Sequence, residues 1–199
     1  VDQKQINCLT NDYFEHYRLG VIRNSIEELE PVMRDSDLVC FNLESVRMVD
    51  APGQKSCSPN GLYTEETCQL SRYAGMSDRL RAFALWGMVP EHDHRHTTAM
   101  LSAQIIWYFI EGSIQRKHDF PLTKLSEYNN YIVTIDEIEY PIVFYKSNRS
   151  DRWWLEISTY TNLGEIANQL VVSCSERDYL KASRNEIPDR WLTNFKKIE

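Results

Sequence analysis

Hydrophobic and polar positions follow two different rhythms along this chain. Between residues 37 and 116, short apolar runs alternate with longer amphipathic stretches. Asp37 to Leu43 is an apolar run bounded by charge, the pattern of a strand buried on both faces, and Arg81 to Trp86 reads the same way. Thr64 opens a helix with Glu65 and Glu66 in its first turn, and Gly75 is placed to terminate it. The strongest helical signal runs from Thr97 to Arg116. Met100, Ala103, Gln104, Trp107, Ile110 and Glu111 recur at spacings of three and four, while Leu101, Ile105, Ile106 and Phe109 make the other faces apolar too. That pattern predicts a helix buried nearly all round. Strand, helix, strand, helix at this spacing describes a parallel sheet covered by helices. Upstream, Tyr13 to Leu19 reads as a short strand closed by Gly20, and Ser25 as the cap of a helix through Glu27, Glu28 and Glu30, interrupted by Pro31.

Past residue 128 the rhythm changes. Tyr131 to Ile135 and Pro141 to Tyr145 are β-branched and aromatic and predict a hairpin, with Trp153 to Ile157 as a third strand. Ser175 caps a helix from Glu176 to Ala182, and Pro188 suits the first turn of another from Asp189 to Lys196. The expected organisation is an α/β domain over residues 1–120 with an α+β extension over 121–199.

Composition narrows the function classes. The chain has 199 residues, 42% of them hydrophobic and 26% charged, so it is globular rather than disordered. Its net charge of −7 lacks the basic footprint that nucleic-acid binding needs. The longest apolar stretch, Ala103 to Ile110, is too short to span a bilayer, and no signal peptide opens the chain. Five cysteines without CxxC spacing argue against a disulfide framework or a structural zinc site and place the chain in a reducing cytoplasm. The chain begins Val1-Asp2 without an initiator Met, the mark of a processed or partial product.

Few residues suggest chemistry by type alone. His92, His94 and His96 form a His-x-His-x-His run able to chelate Zn²⁺ or Ni²⁺. Their charged, loop-like surroundings, with no second Cys or His group nearby in sequence, favour a solvated loop with adventitious metal binding at most. Cys40, within a strand, and Cys68, on a helix, read as core. Cys57 sits in a loop with no base placed to activate it. Trp153, Trp154 and Trp191 read as packing residues.

Several longer segments carry a family likeness. Asp37 to Glu44, the loop Asp50-Ala51-Pro52-Gly53 and Ser58-Pro59-Asn60-Gly61-Leu62 resemble the second metal-ligand strand and following loop of the arginase (ureohydrolase) family. Arg72 to Gly75, Gln104 to Gly112, Phe144 to Ser147, Arg152-Trp153-Trp154 and Glu186 to Trp191 are similar to the arginase-like, formimidoylglutamase-like proteins of Bacteroidetes, and the likeness begins about halfway along a family member. The resemblance implies a partial three-layer α/β/α parallel sheet with a small C-terminal appendage. It also implies a family reaction in which two Mn²⁺ ions share a hydroxide that attacks a guanidinium or formimidoyl carbon.

This chain departs from that pattern in three places. No Asp-x-His-x-Asp motif occurs. The final Asp-x-Asp ligand pair is replaced by Asn42 and Glu44. The acid of a Glu-x-Asn-Pro turn corresponds to Gly87, in Gly87-Met88-Val89-Pro90. Ser58 matches a substrate-side loop hydroxyl. The resemblance therefore implies a ureohydrolase-family protein without a complete manganese centre and with no cofactor expected in this chain. Its expected role is binding or assembly with a protein partner or a second copy, away from nucleic acid and membrane. The alternative is the C-terminal portion of an arginase-like amidinohydrolase, active only with its N-terminal half. In either case a sheet lacking that half exposes an edge, which is rebuilt or paired with another polypeptide.

Overall fold

A computed structural model describes residues 3–120, 125–160 and 165–198. The chain divides into two compact units. Arg18–His118 forms one, and the segments up to Tyr17 and from Asp119 onward form the other. Helix α1 (Gln3–Asn11) belongs to the latter.

The Arg18–His118 unit begins with two short helices, α2 (Leu19–Asn24) and α3 (Glu30–Arg34). Tyr13 to Leu19 forms no strand: Tyr13 turns the backbone left-handed (φ 56°) after α1, and Leu19 already starts α2. A strand needs a ladder partner, and none is present there among the described residues. Ser25 precedes a 3-10 turn, Ile26–Leu29, rather than a continuous helix, because Pro31 sets the start of α3.

Strands β1 (Leu38–Asn42) and β2 (Ala82–Trp86) pair in parallel, from Leu38 opposite Ala82 to Asn42 opposite Trp86. Helix α4 (Thr64–Gly75) follows the long loop after β1, and α5 (Thr97–Ile114) follows β2. The sheet face carrying Phe41 and Phe83 is covered, Phe83 stacking on Phe109 of α5 with ring centroids 4.5 Å apart. The helices cross where both lack side chains. A β-carbon on Gly75 would lie 2.1 Å from the Phe109 carbonyl oxygen, and one on Gly112 would lie 2.3 Å from that of Arg72. Gly75 is thus a packing residue inside α4, with Met76 as the cap, rather than the helix terminator.

The opposite face is bare. Leu38, Cys40, Ala82, Ala84 and Trp86 alternate along the two strands, and all are exposed. Cys40 is therefore not core, because the layer that would bury it is absent from the described residues. The burial expected for α5 also fails on one side. Leu101 and Ile105 face inward, but Trp107 is 70% and Ile114 79% exposed. An all-round apolar helix is one covered on two sides, and α4 with the sheet covers only one.

In the other unit, β3 (Tyr128–Val133), β4 (Ile142–Ser147), β5 (Trp153–Tyr160) and β6 (Ile166–Cys174) form an antiparallel meander in that order. β6 lacks a strand signal in sequence because its first half, Ile166 to Leu170, is an exposed edge with polar insertions. Trp153 and Trp154 point to opposite faces. Trp153 joins a core with Phe144, Leu155, Ile157 and Trp191, while Trp154 joins Tyr128 and Tyr145. Helices α6 (Glu176–Ala182) and α7 (Asp189–Ile198) add Ala182 and Trp191 to the first core. Asp178 accepts from the Ser175 amide at 2.9 Å, the reciprocal half of a capping box. Half-buried Arg190 of α7 pairs with Asp178 at 3.3 Å and Glu15 at 3.7 Å. Among the described residues, no helix is long and apolar enough to cross a membrane.

Candidate functional site at the carboxyl ends of the parallel strands

Open parallel sheets bind ligands at the carboxyl ends of their strands, and the residues in question here are Asn42, Glu44 and Gly87. β1 ends at Asn42 and passes into a 3-10 turn, Leu43–Ser45. Glu44 therefore lies in the turn rather than two residues along a strand. Asn42 caps that turn: its Oδ1 accepts from the Glu44 amide at 3.0 Å, and its carbonyl accepts from Ser45 Oγ at 2.7 Å. Asn42 Nδ2 lies 3.4 Å from Glu44 Oε2, so the two side chains still meet.

Gly87 follows β2 with φ +91°, in the left-handed region where glycine is favoured. A β-carbon there would stand 2.3 Å from Asn42 Oδ1. The structure brings Asn42, Glu44 and Gly87 together, as a backbone arrangement in which the amide oxygen is already used and the third position has no room for a side chain.

Two loops cover this end. In the first, Gln54 is fully buried and donates through Nε2 to the Val46 carbonyl at 2.9 Å. Met48 N donates to the Ser58 carbonyl at 2.8 Å, and Ser58 Oγ accepts from the Asn60 amide at 3.3 Å. Ser58 thus holds a local turn. Cys57 is exposed. The second loop, after β2, is tied to the first by Val89 N donating to the Gly53 carbonyl at 2.8 Å.

The histidine run is dispersed within this second loop. His92 Nδ1 lies 2.8 Å from the Gln54 carbonyl, His94 is exposed, and His96 takes the left-handed position (φ 56°) before α5. Among the described residues, no three His, Cys, Asp or Glu side chains are grouped to hold a metal ion.

The residue that organises this loop is Asp93, set among the imidazoles. It is only 2% exposed, and its two oxygens accept from the Thr98 amide at 3.0 Å and the Ala99 amide at 2.9 Å. Thr98 Oγ1 in turn accepts from the Gly53 amide at 2.7 Å, linking the start of α5 to the first loop. Burial alone would raise the Asp93 carboxyl, but the donated amides outweigh it and hold its pKa below the ordinary carboxylate value. An acid shortly before Thr97-Thr98 and an apolar run is a helix-start signal that the sequence does carry. Asp50 does similar work for α4. Its Oδ2 takes the Thr64 amide at 3.1 Å and the Arg47 guanidinium at 2.9 Å, and together these override burial and lower its pKa.

The donor set at the strand ends does not fit a pair of Mn²⁺ ions. Hard divalent cations want several carboxylate or imidazole ligands, and here Glu44 stands beside an amide committed to capping, with no group of three ligating side chains among the described residues. The arrangement offers hydrogen-bonding groups at the strand ends.

No family model and no curated protein matches the sequence. Solved structures do match. Trypanosoma cruzi formiminoglutamase crystallised with Mn²⁺ has a TM-score of 0.54 at 15% identity, over 58% of this chain and 40% of that one. Bacillus subtilis formimidoylglutamase has 0.53 at 20%, over 58% and 39%. Entamoeba histolytica arginase in complex with L-ornithine has 0.50 at 13%, over 54% and 39%. At these identities the likeness is one of fold. The chain carries part of an arginase-like α/β/α fold and spans about 40% of the length of the formiminoglutamase it matches.

Proposed function

We propose that this chain is a ureohydrolase-family polypeptide that lacks a manganese centre of its own and acts in binding or assembly. The occupant of its bare face is a polypeptide that adds parallel strands beside β1 and β2 and a helical layer across Leu38, Cys40, Ala84 and Trp86. The observation that carries this reading is that face: five apolar or small side chains in register, all exposed, on a parallel pair of strands. Parallel sheets are normally covered on both sides. The share of the fold beyond this chain's match to its structural neighbours is of the kind that would cover it. The tail motif Glu186 to Trp191 supports placement near the formimidoylglutamase-like proteins of Bacteroidetes.

The test is metal analysis after dialysis against Mn²⁺, together with assays for hydrolysis of arginine, agmatine and formimidoylglutamate. The expected outcome is substoichiometric manganese and no hydrolysis. Stoichiometric manganese with turnover by this chain alone would overturn the reading. Turnover that arises only on co-expression with a polypeptide carrying Asp-x-His-x-Asp would replace it with the alternative, the C-terminal portion of an amidinohydrolase.

A further inference from the structure

The antiparallel meander is open in one place. β4 and β5 pair from Lys146 opposite Trp153 to Phe144 opposite Leu155, and that ladder then stops, although β5 runs on beside β6 to Tyr160. A cavity of about 900 Å³ lies where the two strands part. Pro141, Ser158 and Thr159 line it, together with Ile187, Trp191 and Phe195 on the side of α7.

The register explains the parting. Ser147 N donates to the Arg152 carbonyl at 2.9 Å, and these two residues stand opposite each other in the register of β4 and β5. Main-chain groups alternate in direction along an antiparallel pair. Those of Trp154, Glu156 and Ser158 are therefore directed to the β4 side, and those of Leu155, Ile157 and Thr159 to β6. Carried on, the same register sets Pro141 against Ser158, where two residues would exchange both hydrogen bonds. Proline has no amide hydrogen to give, so the ladder cannot continue through it. The N–H and carbonyl of Ser158 are left facing the cavity, with no main-chain partner among the described residues.

The second observation is a side chain. By alternation Thr159 stands on the sheet face of Leu155 and Ile157, the face that Trp191 of α7 covers. Its Oγ1 is buried and has no hydrogen-bond partner among the described residues, a costly state for a hydroxyl. The α7 wall of the cavity is apolar: Trp191 and Phe195 stack at 4.7 Å, and Ile187 and Phe195 are only partly buried. A free main-chain pair and a free hydroxyl thus sit on adjacent residues, and both are groups that a neighbouring strand engages.

We propose that this cavity binds a short extended peptide segment, laid antiparallel on β5 in the place that β4 leaves. One residue of the segment exchanges main-chain hydrogen bonds with Ser158. The residue before it faces Thr159 and is a threonine. Its hydroxyl pairs with Thr159 Oγ1, as cross-strand threonines do, and its methyl meets the apolar wall. Tyr140 and Tyr160 also line the cavity and stack with centroids 3.7 Å apart beyond Thr159, which keeps the bound segment short. This inference goes beyond the reading of the parallel-strand unit and does not depend on it.

The experiment is calorimetric titration of the full chain with three blocked dipeptides. They are acetyl-threonyl-valine methylamide, acetyl-valyl-valine methylamide, and the first of these methylated on the valine nitrogen. The threonyl ligand is expected to bind about three- to tenfold more tightly than the valyl one, as one added hydrogen bond allows. Methylating the nitrogen that donates to the Ser158 carbonyl is expected to abolish binding. Thr159→Val is expected to bind both unmethylated ligands alike. It should not lower the denaturant midpoint, because it removes an unsatisfied hydroxyl at constant shape. Ser158→Pro deletes the open donor and leaves the β6 ladder in place, and it is expected to bind neither ligand. Should that variant fail to fold, the methylated ligand tests the same main-chain pairing on the unaltered protein. No binding of the threonyl ligand, no preference for it over the valyl one, binding that survives methylation, or a preference that survives Thr159→Val would overturn the proposal.

Discussion

A β-carbon on Gly87 would stand 2.3 Å from Asn42 Oδ1, and that oxygen is held in place by the Glu44 amide 3.0 Å away. Asn42 and Gly87, two positions where the resemblance implies a missing carboxylate, therefore form one local structure. The sequence does not show that they touch, because contact between them depends on strand register. Asp93 is the converse case: its signal stood in the sequence but was masked by the imidazoles around it. Its depressed pKa has a consequence for stability. The unfolded carboxyl titrates near ~3.9, and the folded one titrates lower. Between those values the unfolded state binds more protons, so stability from this group is fully present above the unfolded pKa and is lost as pH falls through the folded one. Asp93→Asn leaves an amide that can accept only one of the two helix N–H groups. We expect it to cost about 1 kcal/mol at neutral pH, as lost helix caps do. Urea unfolding of both proteins should show this gap narrowing as pH falls below the usual aspartate range. Asp50, depressed in both, cancels in the difference. A gap independent of pH would show that the carboxylate charge is not what holds the loop.

Among the elements, those with a complete local signal were legible: β1, β2, α4, α5, α6 and α7 lie within a residue or two of where periodicity and caps put them. The failures share a cause. β6 is an edge strand whose polar first half has no alternation to read, and Tyr13 to Leu19 has alternation but no ladder. Burial is a property of neighbours, so the apolar surround of α5 announced a two-sided helix without saying that one side is open. The crossing of α4 and α5 was also invisible, since a glycine near a helix end reads as a terminator. These two sides of α5 should respond oppositely to substitution. Gly112→Ala puts a β-carbon 2.3 Å from the Arg72 carbonyl oxygen, which no rotamer relieves, and should cost about 1–3 kcal/mol by forcing the helices apart. Trp107→Glu, on the open side, should change stability by no more than ~0.5 kcal/mol. Denaturant midpoints with unchanged slopes would confirm both. A large loss for Trp107→Glu would mean that this side is buried in the protein as it exists in solution.

For the molecule as a whole, the bare sheet face decides behaviour in isolation. Leu38, Cys40, Ala82, Ala84 and Trp86 form a continuous apolar strip on a two-stranded parallel sheet, and an unprotected parallel edge runs along each side of it. Exposed strips of this kind mark association surfaces, and open edges template strand pairing. Without a covering polypeptide, the isolated chain is expected to associate with itself as concentration rises. The association should strengthen in sulfate, which favours apolar burial, rather than weaken as an attraction between charges would. Ala84→Lys places a charge mid-strip, opposite Cys40 in the register, at an exposed position. Sedimentation velocity should show the variant monomeric at concentrations where the wild type associates, with unchanged far-ultraviolet circular dichroism. The same substitution should abolish binding of the covering polypeptide proposed above, because both occupants would need the same face. A wild-type chain that stays monomeric at every concentration, in sulfate as well, would mean that this face is already covered. The likeness to a fraction of an arginase-like fold would then describe a complete, rebuilt domain rather than one awaiting its other layer.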